Sequence, residues 1–181
     1  MSEKNKSILK DIISYVLIIL AVVAIRVFIF DPIRVDGPSM DNTLETGEIV
    51  ILNKYEYRRT DIKRYDIVVV KLDGKKIIKR VIGLPNEKIE IKDNKVYADG
   101  KELDNSFTKK DINGKHFAGK DFKMSDIGLV KIPGDSYLVM GDNREVSLDS
   151  RYSEVGTIKK NQIIGKAAVV AWPLNKIKVL K

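Results

Sequence analysis

The stretch YDIVVVKLDGKKIIKRVI, residues 65–82, sets the character of the chain. Two runs dense in β-branched residues, Ile67–Val70 and Ile77–Ile82, stand either side of Asp73-Gly74. Val and Ile pack well on a pleated surface, and Asp-Gly is turn chemistry. The same texture continues outward in both directions. Residues 47–52, 88–91, 95–98, 136–140 and 167–172 are further short apolar runs. They are separated by Pro85-Asn86, Asp99-Gly100, Asn113-Gly114, Pro133-Gly134 and Gly141-Asp142-Asn143. Asp99-Gly100 between two such runs predicts a hairpin. Residues 104–130 are polar, Gly-dotted and weakly patterned, and read as a loop-rich insertion. The fold class is mainly β, with Ser39–Leu44 as one helical turn.

Within the opening stretch a lysine interrupts an apolar strand. Alternation places Lys79 on the face of Ile77 and Val81, with Arg80 on the other. A lysine at a strand edge, in water, is the plain reading. If Lys79 is buried, desolvation lowers its pKa and it can serve as a neutral base. Composition makes that alternative worth following. The chain has no cysteine and one histidine, His116. Those counts exclude disulfides, Cys/His zinc sites, His-cluster metal sites and Cys-His proteases. A Ser-His-Asp triad survives only through His116, which sits in the glycine-flanked stretch Asn113–Gly119 and reads as a surface histidine. Serine with lysine is the remaining route to covalent acyl transfer. No metal and no cofactor are implied.

Residues 12–30, IISYVLIILAVVAIRVFIF, are a different material: nineteen residues with one charge, Arg26. As a helix they would extend roughly 28 Å, close to a bilayer core of about 30 Å. The run ends in Phe28-Ile29-Phe30-Asp31-Pro32, without the small residues of a leader-cleavage site. It reads as an uncleaved transmembrane anchor, with Arg26 near its far end and able to snorkel. Lys4, Lys6 and Lys10 precede it, and in residues 31–50 only Arg34 follows. That bias puts residues 1–11 in the cytoplasm and residues 31–181 outside the cell membrane, as a single-pass protein. Ile163–Leu174 is too short for a second span and contains Lys166.

The formal charge of +8 divides with the anchor. Four basic and two acidic side chains lie in residues 1–30, leaving +6 of mixed, interspersed charge for the body. No basic helix or aromatic ladder accompanies it. The charge fits a solvated surface beside anionic lipid, and no nucleic-acid partner is implied.

Two segments beside the lysine strand carry chemistry-bearing groups. Asp36-Gly37-Pro38-Ser39-Met40 is a tight turn that presents a serine only nine residues after Phe30. Gly141-Asp-Asn-Arg-Glu-Val-Ser147-Leu-Asp-Ser-Arg151 follows a strand and is dense in hydroxyls and ion-pairing groups. Read alone, the first is an ordinary turn serine and the second a salt-bridged turn. Two Ser-x-x-Lys patterns, Ser7–Lys10 and Ser106–Lys109, lack the helix and partner motifs that would give them meaning.

Together these segments resemble the bacterial type I signal peptidases, the membrane-anchored Ser/Lys leader peptidases. Gly37-Pro-Ser-Met-Asp-Asn-Thr-Leu44 is similar to that family's Ser-Met-x-Pro-Thr-Leu block. Asp66–Val70 resembles its Gly-Asp-Ile-Val strand, and Lys79–Pro85 its Lys-Arg-Val-x-Gly-x-Pro block. Residues 141–151 match its Gly-Asp-Asn-Arg-x-x-Ser-x-Asp-Ser-Arg block at every defining position. The single anchor and short length are similar to the Gram-positive form. Asn42 stands where the family has Pro, Asn86-Glu87 where it has Gly-Asp, and Gly37 where some members have Ser.

The resemblance implies a β-rich body of signal peptidase type on one N-terminal transmembrane helix. It implies cleavage of signal peptides from exported preproteins, with the lipid bilayer and the export machinery as further partners. Ser39 would be nucleophile, its backbone N–H an oxyanion donor, and Lys79 the general base. Ser147 would orient Lys79, while Asp142, Arg144, Asp149 and Arg151 form structural ion pairs. Val35, Met40, Leu44 and Ile78 would line shallow substrate pockets. The alternatives are a catalytically silent membrane-anchored binding module, a self-cleaving repressor-type peptidase, and a Ser/His signal peptidase. The second needs a DNA-binding domain where the apolar run stands. The third needs histidine at position 79.

Overall fold

The computed structural model describes residues 3–28 and 30–180; side chains are described from Ser7 onward, except those of residues 9 and 24–29. A helix, α1, runs Glu3–Phe28. Among the described residues no helix is long and apolar enough to cross a membrane. The Arg26 side chain lies outside the described residues.

Twelve strands follow, in chain order β1 Phe30–Arg34, β2 Ile49–Asn53, β3 Ile67–Leu72, β4 Lys75–Gly83, β5 Ile89–Lys92, β6 Lys95–Ala98, β7 Lys101–Glu102, β8 Phe122–Lys123, β9 Ser136–Met140, β10 Ile158–Lys159, β11 Ile163–Trp172 and β12 Lys178–Val179. A short helix, α2, spans Glu56–Arg59. Eight strands form one sheet in the order β1-β2-β11-β3-β4-β9-β10, with β12 on β11; four form a second in the order β7-β6-β5-β8.

The opening stretch is the β3–β4 hairpin, in register from Ile67↔Arg80 to Leu72↔Lys75. Its turn residues Asp73 and Gly74 have φ of 48° and 78°, the positive values that a two-residue type I′ turn requires. Asp99-Gly100 closes β6–β7 in the same way, with Ala98 paired to Lys101. β3 lies between β11 and β4, and both its faces are buried. Ile67 and Val69 join one core cluster, with Leu52, Met40 and Leu44. Val68 and Val70 join another, with Val81 and Val139. A third cluster unites the small sheet with residues 118–132 and with Leu138 and Met140.

Two boundaries differ from the sequence reading. The helix ends at Phe28, and Phe30 opens β1, whose five residues pair with β2. The strand was hidden because it continues the apolar run with no turn residue between. Pro32 fits there because β1 is an edge strand and needs no ladder donor on its free side. In residues 104–130 the regular structure is β8, a 3₁₀ turn at Met124–Ile127 and an isolated bridge between Lys110 and His116. The segment is nevertheless packed, through Ala118, Phe122 and Met124, which are at most 4% exposed.

Candidate active site

Ser39 stands in a 3₁₀ turn, Pro38–Met40. Pro38 pre-sets the first φ of the turn, and Gly37 precedes it at φ 85°, where a side chain would be strained. Met40 and Leu44, buried in the first cluster, pin the turn from below. From above, Asn143 N–H donates to Ser39 O at 3.1 Å, and Asn143 Nδ2 donates to Pro38 O at 3.1 Å. The first N–H groups of a helical turn have no acceptor within it.

Lys79 comes from the middle of β4 and is 4% exposed. Its Nζ lies 2.7 Å from Ser39 Oγ. Burial pushes the ammonium below the ordinary lysine range; Arg151 adds to this, while Asp149 and Asp142 oppose it. A buried amine with a depressed pKa, touching a hydroxyl, can take that hydroxyl's proton.

The loop after β9 forms the roof. Ser147 is buried, but its Oγ has no hydrogen-bond partner among the described residues. The expected bond to Lys79 is therefore not formed in this arrangement. Gly141 explains how the parts come so close. A Cβ built there would run into Ser39 O and Ser147 Oγ, and would lie 2.6 Å from Ser147 Cβ.

The ion pairs differ in part from expectation. Asp149 pairs with Arg151, Nε to Oδ1 at 2.8 Å and Nη2 to Oδ2 at 2.9 Å, and Asp149 Oδ2 also accepts Gly141 N–H at 2.9 Å. Asp142 pairs with Arg80, at 2.9 Å from Nε and 2.7 Å from Nη2. Among the described residues Arg144 bonds no carboxylate: Nε donates to Gly141 O at 2.9 Å and Nη1 to Ala118 O at 2.6 Å. Its role is to tie the roof to the insertion. Alternation puts Arg80 on the face away from Lys79. That face is covered by the roof and the insertion, and Phe107 lies 4.4 Å under the guanidinium.

A groove of about 670 Å³ opens beside Ser39 and Lys79. Val35, Met40 and Ile78 line it, whereas Leu44 is not among its lining residues and lies fully buried beneath. Ile33, Ile77, Val146 and Leu148 also line it and were missed. Val146 and Leu148 flank Ser147 and are 56% and 57% exposed; alternating with a buried serine, they were the available signal. His116 Nδ1 is 2.6 Å from Thr108 O, and Ser106 Oγ bonds Asp104. Among the described residues no group of three or more His, Cys, Asp or Glu side chains is placed to hold a metal.

The family model described as signal peptidase, peptidase S26 matches residues 8–172. The chain belongs to that family. It is 38% identical to signal peptidase I P of Bacillus subtilis subsp. natto, over 99% of this chain and 97% of the relative. It is 35% identical to signal peptidase IB of Staphylococcus aureus (strain COL), over 96% and 94%. A crystal structure of a signal peptidase I from Enterococcus faecalis V583 is similar, with TM-score 0.52 and 29% identity, covering 59% of this chain and 97% of that one. This member is accordingly a signal peptidase-type hydrolase.

Two of the three departures noted in the sequence, at Glu87 and Asn42, have structural partners here. Glu87 bonds Leu84 N–H at 2.7 Å and pairs with Arg64. Asn42 has φ 88°, which Pro cannot adopt, and its Nδ2 donates to Phe107 O at 2.8 Å. It thus ties the serine turn to the insertion. Asn42→Gly keeps the backbone and loses one hydrogen bond, so Tm is expected to fall by about 2–4 °C, the equivalent of about 1 kcal/mol. Asn42→Pro is expected to cost several times more, because its ring fixes φ near −65°. Thermal melts of the two variants check the order.

Proposed function

We propose that this protein is a membrane-anchored serine endopeptidase that removes signal peptides from exported preproteins with a Ser39/Lys79 dyad. The observation that carries the reading is the contact of buried Lys79 Nζ with Ser39 Oγ at 2.7 Å, beside an open groove.

The reaction runs in two halves. Neutral Lys79 takes the Ser39 hydroxyl proton as Oγ bonds to the scissile carbonyl carbon. Ser39 N–H stabilises the oxyanion; one such donor is worth about 10²–10³ in rate. The C–N bond then breaks, and Lys79 returns the proton to the leaving amine. Water attacks the acyl-enzyme, again with Lys79 as base, and Ser39 is regenerated. Ser147 Oγ is buried and has no partner among the described residues; in this reading it would accept from the ammonium formed when Lys79 is charged. Asp142, Asp149, Arg144 and Arg151 hold the roof.

The substrate binds extended. Among the described residues β4 pairs with β9 only from Arg80 onward and β1 pairs with β2 alone, so residues 75–79 of β4 and the outer side of β1 leave backbone edges beside the groove. A strand added there satisfies those groups, and shallow apolar walls at Val35, Met40 and Ile78 select small side chains near the cut. The apolar stretch that begins at residue 12 would be the anchor, ending with the helix at Phe28. Ser39, eleven residues beyond Phe28, can be no more than roughly 40 Å from that end, at most ~3.6 Å per residue. Enzyme and membrane-borne substrate then share one surface, which raises their effective concentration.

The test is cleavage of a purified preprotein by the full chain in detergent, with the product mass locating the cut. Cleavage after the signal sequence is expected; an intact preprotein defeats the reading. The pH dependence is a second expected result. Only neutral Lys79 is a base, and burial favours the neutral form. kcat/KM should therefore rise with pH through one deprotonation, with its midpoint well below the unperturbed value of about 10.4. A flat profile from pH 6 to 9 counts against a titrating Lys79.

A further inference from the structure

The groove beside Ser39 has a charged end. Lys76 Nζ donates to Asp31 Oδ2 at 3.0 Å. This ion pair links β1 to β4, which no ladder connects among the described residues: β1 pairs with β2, and β4 with β3 and β9. Four antiparallel steps lead from β1 through β2, β11 and β3 to β4, so the two strands run in the same direction. Ser39 and Lys79 meet at one end of the space between them. Asp31 and Lys76 meet at the other, earlier in both strands.

Alternation sets which side chains share a face. In β1 and the residue after it, Asp31 and Ile33 are partly buried and Val35 is buried, while Pro32 and Arg34 are exposed. Lys76 and Ile78 share a face of β4 in the same way. Val35, Met40 and Ile78 belong to one core cluster, and Ile33 packs against it. The row along β1 is thus apolar at Val35 and Ile33 and charged at Asp31. In the proposed reaction, the substrate residues before the cut lead back toward the membrane, as β1 leads back from the Ser39 turn to α1. An extended substrate therefore runs alongside β1 in the same direction. Its first and third residues before the cut face Val35 and Ile33, and its fifth falls level with Asp31.

We propose that Asp31 and Lys76 form a subsite for the fifth residue before the cut, which accepts a polar or charged side chain and disfavours a large apolar one. A carboxylate there accepts from Lys76, and an ammonium donates to Asp31. A leucine does neither and takes both charges out of water. The pair then marks how near to the cut the apolar part of a substrate can come. This inference rests on the substrate reading above and deepens it. Asp73 and Lys75 also line the groove, at the β3–β4 turn and on the other face of β4. They are unchanged in the variants below, so a preference that follows positions 31 and 76 belongs to those two residues.

The test uses the full chain in detergent and one preprotein-derived peptide carrying Ser, Glu, Lys or Leu five residues before the cut. For the parent, kcat/KM should agree within about threefold for Ser, Glu and Lys, and be at least about fivefold lower for Leu, through KM. Lys76→Glu sets two carboxylates at this end and should favour Lys over Glu by at least about tenfold. Asp31→Lys should favour Glu over Lys by a similar factor. An exposed pair adds little to stability, so both variants should keep the fold. Moved to the fourth residue before the cut, which faces the other way, the Glu and Lys exchanges should give both variants the parent's preference. Binding is read separately, by fluorescence anisotropy of labelled peptides with Ser39→Ala, alone and combined with either reversal. The same order of preference is expected there. If the parent cleaves no peptide but these binding preferences appear, the peptidase reading fails and the subsite stands. The subsite is overturned by Leu accepted as well as Ser, by a Glu/Lys preference that neither reversal moves, by a shift at the fourth residue instead of the fifth, or by no saturable binding.

Discussion

Ser39→Ala and Lys79→Ala are each expected to lower preprotein cleavage by about 10³-fold or more, with both variants folded. The alanine at 39 has no oxygen to acylate, and the alanine at 79 leaves the hydroxyl with no base. A positioned base alone contributes roughly 10²–10⁴. Since the two residues act on one proton, the double variant should be no worse than either single one. Stability should move the other way. Lys79 is buried, and at neutral pH the fold must either desolvate its charge or release its proton. Lys79→Met, which keeps the stem volume, is therefore expected to raise Tm while abolishing cleavage. The sign of the pH dependence follows from linkage. The folded pKa is below the unfolded value, so the unfolded chain binds more protons between the two. Parent stability should rise with pH across that window and converge on that of Lys79→Met near pH 10 and above. Processing retained by either alanine variant, or a Tm for Lys79→Met well below the parent's, would remove Lys79 and Ser39 from the roles proposed.

Much of the β body was legible because its strands announce themselves locally. β-branched runs and Asp-Gly or Pro-Asn turns are decided within a few residues, and the β3–β4 and β6–β7 hairpins fall where those signals stand. The second, small sheet was legible as strands but not as a separate sheet. Partners such as Ile91 and Phe122 are brought together by an insertion with no pattern of its own. β1 was hidden for the opposite reason: Phe30–Arg34 looks like the tail of the apolar run that precedes it. Only its pairing with β2 shows where the strand begins.

The candidate site divides along the same line. The residues alone gave a serine on a tight turn and a lysine in an apolar strand, forty positions apart, with elimination as the only argument joining them. The resemblance supplied the pairing, and the fold places the two side chains in contact. The groove walls from Ile33 and Ile77 could not be read, because they arise where two strand edges distant in sequence face one space. Arg144 shows a different limit. Within the dense 141–151 segment each arginine has a plausible carboxylate neighbour. Which arginine takes which partner depends on backbone carbonyls, Gly141 O and Ala118 O, that no side-chain pattern reveals.

Arg80 is where that limit has the largest expected consequence. Its side chain is 5% exposed and its partner Asp142 is fully buried, and the two meet in a bidentate pair at 2.7 and 2.9 Å. Arg80 also donates to Tyr65 O at 2.9 Å and to Thr43 Oγ1 at 3.2 Å, while Thr43 Oγ1 donates to Asp142 Oδ2 at 2.5 Å. One guanidinium thus joins β4, the serine turn and the roof. Removing one member of a buried pair leaves an uncompensated charge and costs about 3–5 kcal/mol. Arg80→Ala is expected to lower Tm by about 10 °C or more, at about 2–4 °C per kcal/mol. Asp142→Asn in the Arg80→Ala background should recover part of that loss, because the orphaned carboxylate is then neutral. Arg80→Lys keeps the charge but loses the planar fork, and should fall between parent and Arg80→Ala. Cleavage measured well below each Tm separates two effects. If Arg80 only stabilises, kcat/KM is unchanged at low temperature; if it also registers the serine turn through Thr43, as its contacts indicate, kcat falls there with little change in KM. Near-equal Tm values for parent and Arg80→Ala would mean that the Arg80–Asp142 pair does not hold this site together.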